Sequence, residues 1–289
     1  MSYKLFVKRF LSFLNQSCSF ILDVLLRLFS NLRPHKATNE NMAVSIAMPR
    51  SALNSQQVVV VLGMHRSGTS LLTGTLQEAG LVLGDVVTSA PHNRKGNREA
   101  LPIRALHDDL LQCSGGSWCQ PPAQVVWQSA HRLQRDQIIA GFQDELCWGF
   151  KDPRSLFCLK GWLEVLPKLH AVAIVRHPEA VARSLLAREG MPLEDGLVLW
   201  KLYNEQLLYW MDRIEVSLLH FTPDLDAFCA DAEVLIAQLG LPRLIKAQAL
   251  QFPDANLHHQ QSSELLLPRD IQALYSELIA RKLTSNVPY

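Results

Sequence analysis

The run Gly63-Met64-His65-Arg66-Ser67-Gly68-Thr69-Ser70 puts two glycines, three hydroxyls and an arginine in one short stretch. Before it, Val58 to Leu62 is an unbroken, mostly β-branched run, which predicts a buried parallel strand. After it, Leu71, Leu72, Leu76 and Ala79 recur at helical spacing until Gly80, which predicts a helix ending there. Strand, glycine turn and helix in this order aim backbone N–H groups and the positive end of the helix at one place. The chemistry that follows is anion binding. Arg66 adds a fixed cation whose fork suits phosphate or sulfate oxygens. A bare strand-to-helix turn would not account for that arginine.

The spacing of Gly63, Gly68 and Ser70 resembles a Walker A loop, but Thr69 stands where that loop carries its phosphate-neutralising lysine. The next strong hydrophobic run, Ala171 to Val175, ends in Arg176, where a magnesium-holding acid would be expected. A cation there suits a second bound anion and repels a metal. His177-Pro178-Glu179 follows, then a helical stretch from Ala180 to Arg188, with Pro178 suited to its start. Ser184 lies two turns into that helix. Alone it is an ordinary helix serine; paired with Arg176 it grips one phosphate from a second side.

Arg66-Ser67-Gly68-Thr69-Ser70-Leu71, taken with Arg176-His177-Pro178 and Ser184, resembles the sulfotransferase family that uses 3′-phosphoadenosine 5′-phosphosulfate (PAPS). The similarity runs from about Val58 to Tyr275. It implies that the first loop, Gly63, Arg66, Ser67, Gly68, Thr69 and Ser70, binds the 5′-phosphosulfate, and that Arg176 and Ser184 bind the 3′-phosphate. An arginine in the first loop is closer to the tyrosylprotein and bacterial branches than to the cytosolic branch, which favours lysine there. Two motifs in the right order are far more specific than either alone.

Leu146-Cys147-Trp148-Gly149-Phe150 reads as another buried strand, followed by Lys151-Asp152-Pro153-Arg154. This Lys-Asp-Pro resembles the tyrosylprotein branch, which implies that Lys151 stabilises the transferring sulfuryl group. The bland readings are a surface lysine and, for Asp152, a turn former before proline. Pro91-His92-Asn93-Arg94-Lys95-Gly96-Asn97-Arg98-Glu99 resembles the bacterial family's pattern of Asn, basic residue and Gly ahead of a Glu. Sulfuryl transfer to an alcohol needs a proton acceptor and positive charge near the leaving oxygen. Glu99 is the candidate base; equally, it is an acid favouring the start of the next helix. His107, Asp108 and Asp109 are rivals, or simply the solvated side of the helix that Leu106 and Leu110 mark. His65 either senses the sulfuryl group or packs beside it. His258 and His259 lack the spacing of a helical metal pair and lie where the family often has basic residues.

The elements that must hold these groups are legible around them. The chain has 289 residues, 48% hydrophobic and 19% charged, enough to bury a large core without a disulfide or metal. Lys plus Arg is 28 against 27 for Asp plus Glu, and this balance excludes a dedicated nucleic-acid binder. Leu197, Trp200, Leu207, Met211 and Ile214 form one helical stripe, and Phe228, Ala232, Leu235 and Leu239 another, closed by Gly240. Trp200, Tyr203 and Trp210 read as core aromatics. The six cysteines, Cys18, Cys113, Cys119, Cys147, Cys158 and Cys229, form no CxxC pair and read as thiols of a reducing, cytoplasmic compartment. A Cys113–Cys119 disulfide across the intervening turn is the competing reading.

Residues 1–33 stand apart. Lys4, Lys8 and Arg9 precede an aromatic-rich stretch whose Phe6, Phe10, Phe13, Phe20 and Val24 follow helical spacing. Asp23 and Arg27 break any membrane-spanning run. An amphipathic helix on an anionic membrane surface, a helix packed on the protein and a poor signal peptide are the open readings. Residues 34–57 read as a linker, and residues 58–289 as the sulfotransferase-like domain. The expected fold is α/β, a P-loop-type, mainly parallel sheet flanked by helices on both faces. The expected function is PAPS-dependent sulfuryl transfer, without metal, to a hydroxyl or amine of an acceptor, with a lean to carbohydrate. A divergent P-loop kinase using ATP and magnesium and an inactive nucleotide-binding scaffold are the alternatives.

Overall fold

The computed structural model describes residues 56–89, 95–242, 252–253 and 266–283. In chain order these form β1 (Gln57–Leu62), α1 (Thr69–Glu78), α2 (Leu101–Cys113), α3 (Ser129–Ala140), β2 (Cys147–Lys151), α4 (Ser155–Leu163), β3 (Leu169–Val175), α5 (Pro178–Glu189), α6 (Leu193–Met211), β4 (Val216–His220), α7 (Leu225–Gln238) and α8 (Arg269–Ala280). The strands lie in the order β2-β1-β3-β4, and every neighbouring pair is parallel. This is an α/β fold with a parallel sheet. Gln57, placed in the linker by the sequence, pairs with Cys147 in the first position of β1. The N-terminal helix expected over residues 1–33, and His92, Asn93, Arg94, His258 and His259, lie outside the described residues. No helix among the described residues is long and apolar enough to cross a membrane.

The sheet is covered on both faces because its strands alternate between two apolar clusters. Val58, Val60 and Leu62 of β1 join Trp148, Phe150, Ala171, Ala173, Val175 and Leu218 on one side. There they meet Ile103 and Leu106 of α2, Leu159 and Trp162 of α4, Val181 of α5, Trp200 and Leu207 of α6, and Leu274 of α8. Val59 and Val61 face the other way with Val172, Ile174 and Leu219, against Leu72 and Leu76 of α1 and Phe228 and Leu235 of α7. Strand side chains point alternately to the two faces, so a run apolar at every position demands a layer on each. Each large apolar side chain fully buried this way contributes about 1.5–3 kcal/mol.

β1 has its two successors in sequence, β2 and β3, on opposite sides. The chain therefore reverses its winding direction there, and the crevice outside the strand C-termini opens at this point. The loop after β1 and Arg176 after β3 flank that crevice. At Gly63, with φ at +138°, a Cβ would sit 2.6 Å from the Ile174 carbonyl oxygen. Only glycine lets the end of β1 pass so close to the β3 backbone.

Candidate functional site

Gly63 to Gly68 turns the chain from β1 into α1, with Gly68 as N-cap in the left-handed region. Arg66 is itself left-handed, at φ +67°. A non-glycine residue there is uncommon, costs about 1–3 kcal/mol and persists only where the surroundings hold it. The holding contacts are specific. Arg66 Nε donates to Ser184 Oγ at 2.8 Å, and Arg176 donates from a terminal guanidinium nitrogen to the Arg66 carbonyl at 3.1 Å. Arg66, Arg176 and Ser184, from three separate elements, thus meet in one cluster.

Phe221, just past β4, completes it. The Arg176 guanidinium lies 4.7 Å from the Phe221 ring centroid, and that ring fills the space where a Cβ on Gly68 would be. Trp200 of α6 donates its indole N–H to the Arg176 carbonyl at 3.0 Å, fixing the end of β3 from behind. Burial, and then the charge of Arg66, push Arg176 down to about 10. Burial and the neighbouring Arg188 lower Arg66 as well. Neither Arg66 nor Arg176 is ion-paired among the described residues; the nearby Glu189 pairs with Arg188. Two guanidiniums that repel each other in a partly dry crevice are stabilised by an anion placed between them. The first-turn N–H groups of α1 face the same region, since they have no acceptor within their own helix. Ser67 Oγ is buried there without a protein partner.

Glu99 and Lys151 also come together. Lys151 ends β2, paired in register with Val61 of β1, and its Nζ donates to Glu99 Oε1 at 2.7 Å. Both are buried, at 2% and 7% exposure. Glu99 does not cap α2, whose N-cap is Ala100 with no side-chain cap bond. Glu99 stands directly before the N-cap of α2, and its carboxylate is engaged by Lys151. The segment carrying Glu99 is tied to α1, because Ser70 Oγ donates to the Asn97 carbonyl at 3.1 Å. Arg98, left-handed at φ +56°, donates to Gln77 at 2.9 Å.

Behind this pair runs a network that the sequence did not disclose. His107, read from the sequence as either a rival catalytic group or part of a solvated helix side, is wholly buried. The Trp162 indole can only donate, and it donates to His107 Nε2 at 2.9 Å. His107 Nδ1 therefore carries the proton and donates to Asp152 Oδ2 at 3.2 Å. Asp152 Oδ1 accepts from the Arg154 backbone N–H at 3.0 Å and its guanidinium at 2.8 Å. Burial alone would raise this carboxyl. The hydrogen bond from His107 and the Arg154 charge outweigh it and hold Asp152 well below the carboxylate range. Arg154 also pairs with Asp108 at 2.6 Å. Asp152 thus anchors the corner from which Lys151 projects.

Asp152→Asn leaves the His107 N–H facing an amide N–H₂ and Arg154 without its buried counter-charge. Breaking one side of such a buried pair costs about 3–5 kcal/mol, read as a lowered urea midpoint. A loss within about 1 kcal/mol, the scale of an exposed pair, would show that the network is not what holds the corner. Because the folded-state carboxyl is depressed, this stabilisation is present at neutral pH and is lost as acid protonates Asp152 below the ordinary carboxylate range.

Asp109, Cys113 and His131 set a carboxylate oxygen, a thiol and an imidazole nitrogen within 4.8 Å of one another. The Gln128 N–H donates to His131 Nδ1 at 3.1 Å, in a capping box at the start of α3. The proton then sits on Nε2, which gives it to Asp109 at 3.0 Å, so that nitrogen has no lone pair to offer a metal. Cys113 and Cys119 are free thiols, and the expected alternative of a disulfide between them is not formed. Cys113 Sγ points to Asp109 and Cys119 Sγ to Ser117. Trp200, Tyr203 and Trp210 are core aromatics as expected.

No protein-family model and no curated protein matches the chain. Among solved structures it is similar to the sulfotransferase domain from the Synechococcus PCC 7002 olefin synthase, at 17% identity and a TM-score of 0.48 over 88% of this chain and 100% of that one. A sulfotransferase from Alicyclobacillus acidocaldarius is similar at 12% identity and a TM-score of 0.45, over 78% of this chain and 94% of that one. A third, from Mycobacterium tuberculosis H37Rv, gives 12% identity and a TM-score of 0.38 over 78% and 73%.

Proposed function

We propose that the chain transfers a sulfuryl group from PAPS to a hydroxyl of an acceptor. The observation that carries this reading is the junction of Arg66, Arg176 and Ser184 at the crevice, where the neighbouring strand end also brings Lys151 to Glu99. A nucleotide with a 5′-phosphosulfate and a 3′-phosphate supplies anions to both arginines. Arg66 uses Nε on Ser184 and Arg176 uses one terminal nitrogen on the loop, which leaves the remaining N–H groups of both forks for phosphate and sulfate oxygens. Ser184 accepts from Arg66 and keeps its own O–H to donate. Ser67, Thr69 and the amides after Gly68, that of Ser70 among them, cradle the phosphosulfate, while the Ser70 hydroxyl stays on the Asn97 carbonyl.

In the reaction, the acceptor oxygen bonds to sulfur as the bond from sulfur to the bridging phosphate oxygen breaks. The electron pair of that bond stays on the nucleotide, which leaves as 3′-phosphoadenosine 5′-phosphate (PAP). Glu99 takes the hydroxyl proton, and Lys151 and Arg66 stabilise the charge on the leaving oxygen and the sulfuryl group. Lys151 sits where it touches Glu99, so base and cation reach the same reacting centre.

The kinase alternative fits less well. Thr69 replaces the Walker lysine, and Asp152, the acid at the end of β2, has both oxygens engaged by Arg154 and His107. Titration calorimetry with PAP and with ATP plus magnesium tests the reading. PAP binds, and Arg176→Ala weakens it about 10- to 150-fold, the worth of a charge-assisted hydrogen bond of roughly 1.5–3 kcal/mol. Tighter binding of ATP with magnesium than of PAP would replace the reading with the kinase.

A further inference from the structure

Two side-chain atoms of the loop are buried without a hydrogen-bond partner, Ser67 Oγ and His65 Nε2. Ser67 belongs to the phosphate cradle. His65 points into different company. Its ring lies 4.8 Å from the Trp118 ring and 5.7 Å from that of Tyr203. Arg154, Asp152 and Lys151 lie close enough to act on its protonation. These are the groups around Glu99, since Lys151 touches its carboxylate and Glu99 acts on Arg154. Arg188, which also acts on Arg66, reaches His65 as well, so the ring lies between the groups around Lys151 and those around Arg66, whose own side chain turns to Ser184.

A buried polar atom left unpaired costs about 1–3 kcal/mol, and a site that keeps one has a ligand to satisfy it. Burial, and then the Arg154 charge, push the His65 imidazole well below its ordinary pKa, so the ring is neutral and offers one N–H and one lone pair. Beside it, Trp118 is half-buried, and Tyr203 donates its hydroxyl to the Trp118 backbone carbonyl at 2.7 Å, which fixes the chain at that residue. The Trp118 ring, tilted 54° to the imidazole and only partly covered by the core, is the apolar surface nearest this nitrogen's ring.

We propose that His65 Nε2 binds the acceptor hydroxyl against the Trp118 ring, and that the acceptor therefore carries this hydroxyl on a ring with an apolar face, a sugar or an aryl alcohol. This rests on the sulfuryl-transfer reading above. An alcohol oxygen has one proton and two lone pairs. The Nε2–H donates to one lone pair, the other attacks sulfur, and the proton goes to Glu99. The bond from sulfur to the bridging oxygen breaks, and its electron pair leaves with PAP.

The test uses the full chain with PAPS as donor and two probe acceptors, 2-naphthol and methyl β-D-glucopyranoside, with PAP affinity measured in parallel. The wild type sulfates at least one probe, and which one distinguishes the aryl from the sugar acceptor. His65→Phe keeps a ring but loses the nitrogen, and lowers kcat/KM for that probe about tenfold or more, chiefly through KM. PAP affinity stays within about twofold. His65→Gln, which returns an amide N–H near the same place, recovers most of the loss. Unchanged kcat/KM in His65→Phe overturns the assignment, as does a fall in PAP affinity matching the fall in rate. A wild type that binds PAP and sulfates neither probe overturns the ring-bearing acceptor. A wild type that does not bind PAP instead removes the sulfuryl-transfer reading on which the assignment rests.

Discussion

Glu99→Gln lowers sulfuryl transfer about 10²- to 10⁴-fold, the usual worth of a positioned general base, while PAP affinity is retained. The carboxylate is buried and bonded to Lys151 at 2.7 Å, so the substitution also leaves a buried ammonium without its counter-charge. That alone costs stability, on the order of 3–5 kcal/mol for a fully buried pair. Glu99→Asp separates the two effects. It keeps the charge but draws the carboxylate back by one methylene, so thermal stability falls less while transfer remains strongly impaired. Wild-type turnover in both variants, with PAPS and any acceptor that the wild type sulfates, would remove Glu99 from the chemistry and point to another proton acceptor.

Arg66→Ala lowers turnover about 10²- to 10³-fold, the scale of one lost oxyanion-type donor, and weakens PAP as well. Both effects follow from its place in the cluster. The side chain is a cation for the sulfuryl oxygens and the donor that orients Ser184, while its carbonyl accepts from Arg176. Alanine also keeps the left-handed strain at φ +67° without the contacts that hold it. Arg66→Lys restores the charge but has no Nε–H for Ser184, so its turnover falls between alanine and wild type. Equal turnover for all three proteins in a PAPS-dependent assay is the outcome that sinks this role.

The anion loop was readable because its parts are local. Val58 to Leu62, Gly63, Arg66 and the helix after Gly68 are consecutive, and each dictates its own geometry: a β-branched run, a glycine turn, a helical repeat. The strand before Arg176 and the helix carrying Ser184 were legible for the same reason. β4 has no such signature, because five residues, Ser217 and His220 among them, are too short and too mixed for a periodic signal. α8 does carry a helical signal in Ile271, Leu274 and Leu278, which fall on one buried face.

His107 shows what spacing does and does not carry. It lies four residues after Ile103 and three and four before Leu110 and Leu111, so the helical repeat puts it on the buried face of α2, but nothing local names its partners Asp152, just past β2, and Trp162 of α4. Phe221, Trp118 and Arg154 carry no motif either. Their importance arises only from neighbours that the sheet order brings together.

The sequence by itself determined the residue types of the anion loop, the strand–turn–helix that aims them, and the apolar alternation that calls for helices on both faces of a parallel sheet. These are properties of φ/ψ preference and periodicity, which act within a few residues. The tertiary structure alone decided that Arg66 joins Ser184, that Lys151 meets Glu99, and that His65 keeps an unpaired nitrogen beside Trp118. Those pairings depend on strand order. Placing β1 between β2 and β3 brings three loop ends to one crevice, and no local rule of chain geometry encodes which distant side chains a buried charge will find there.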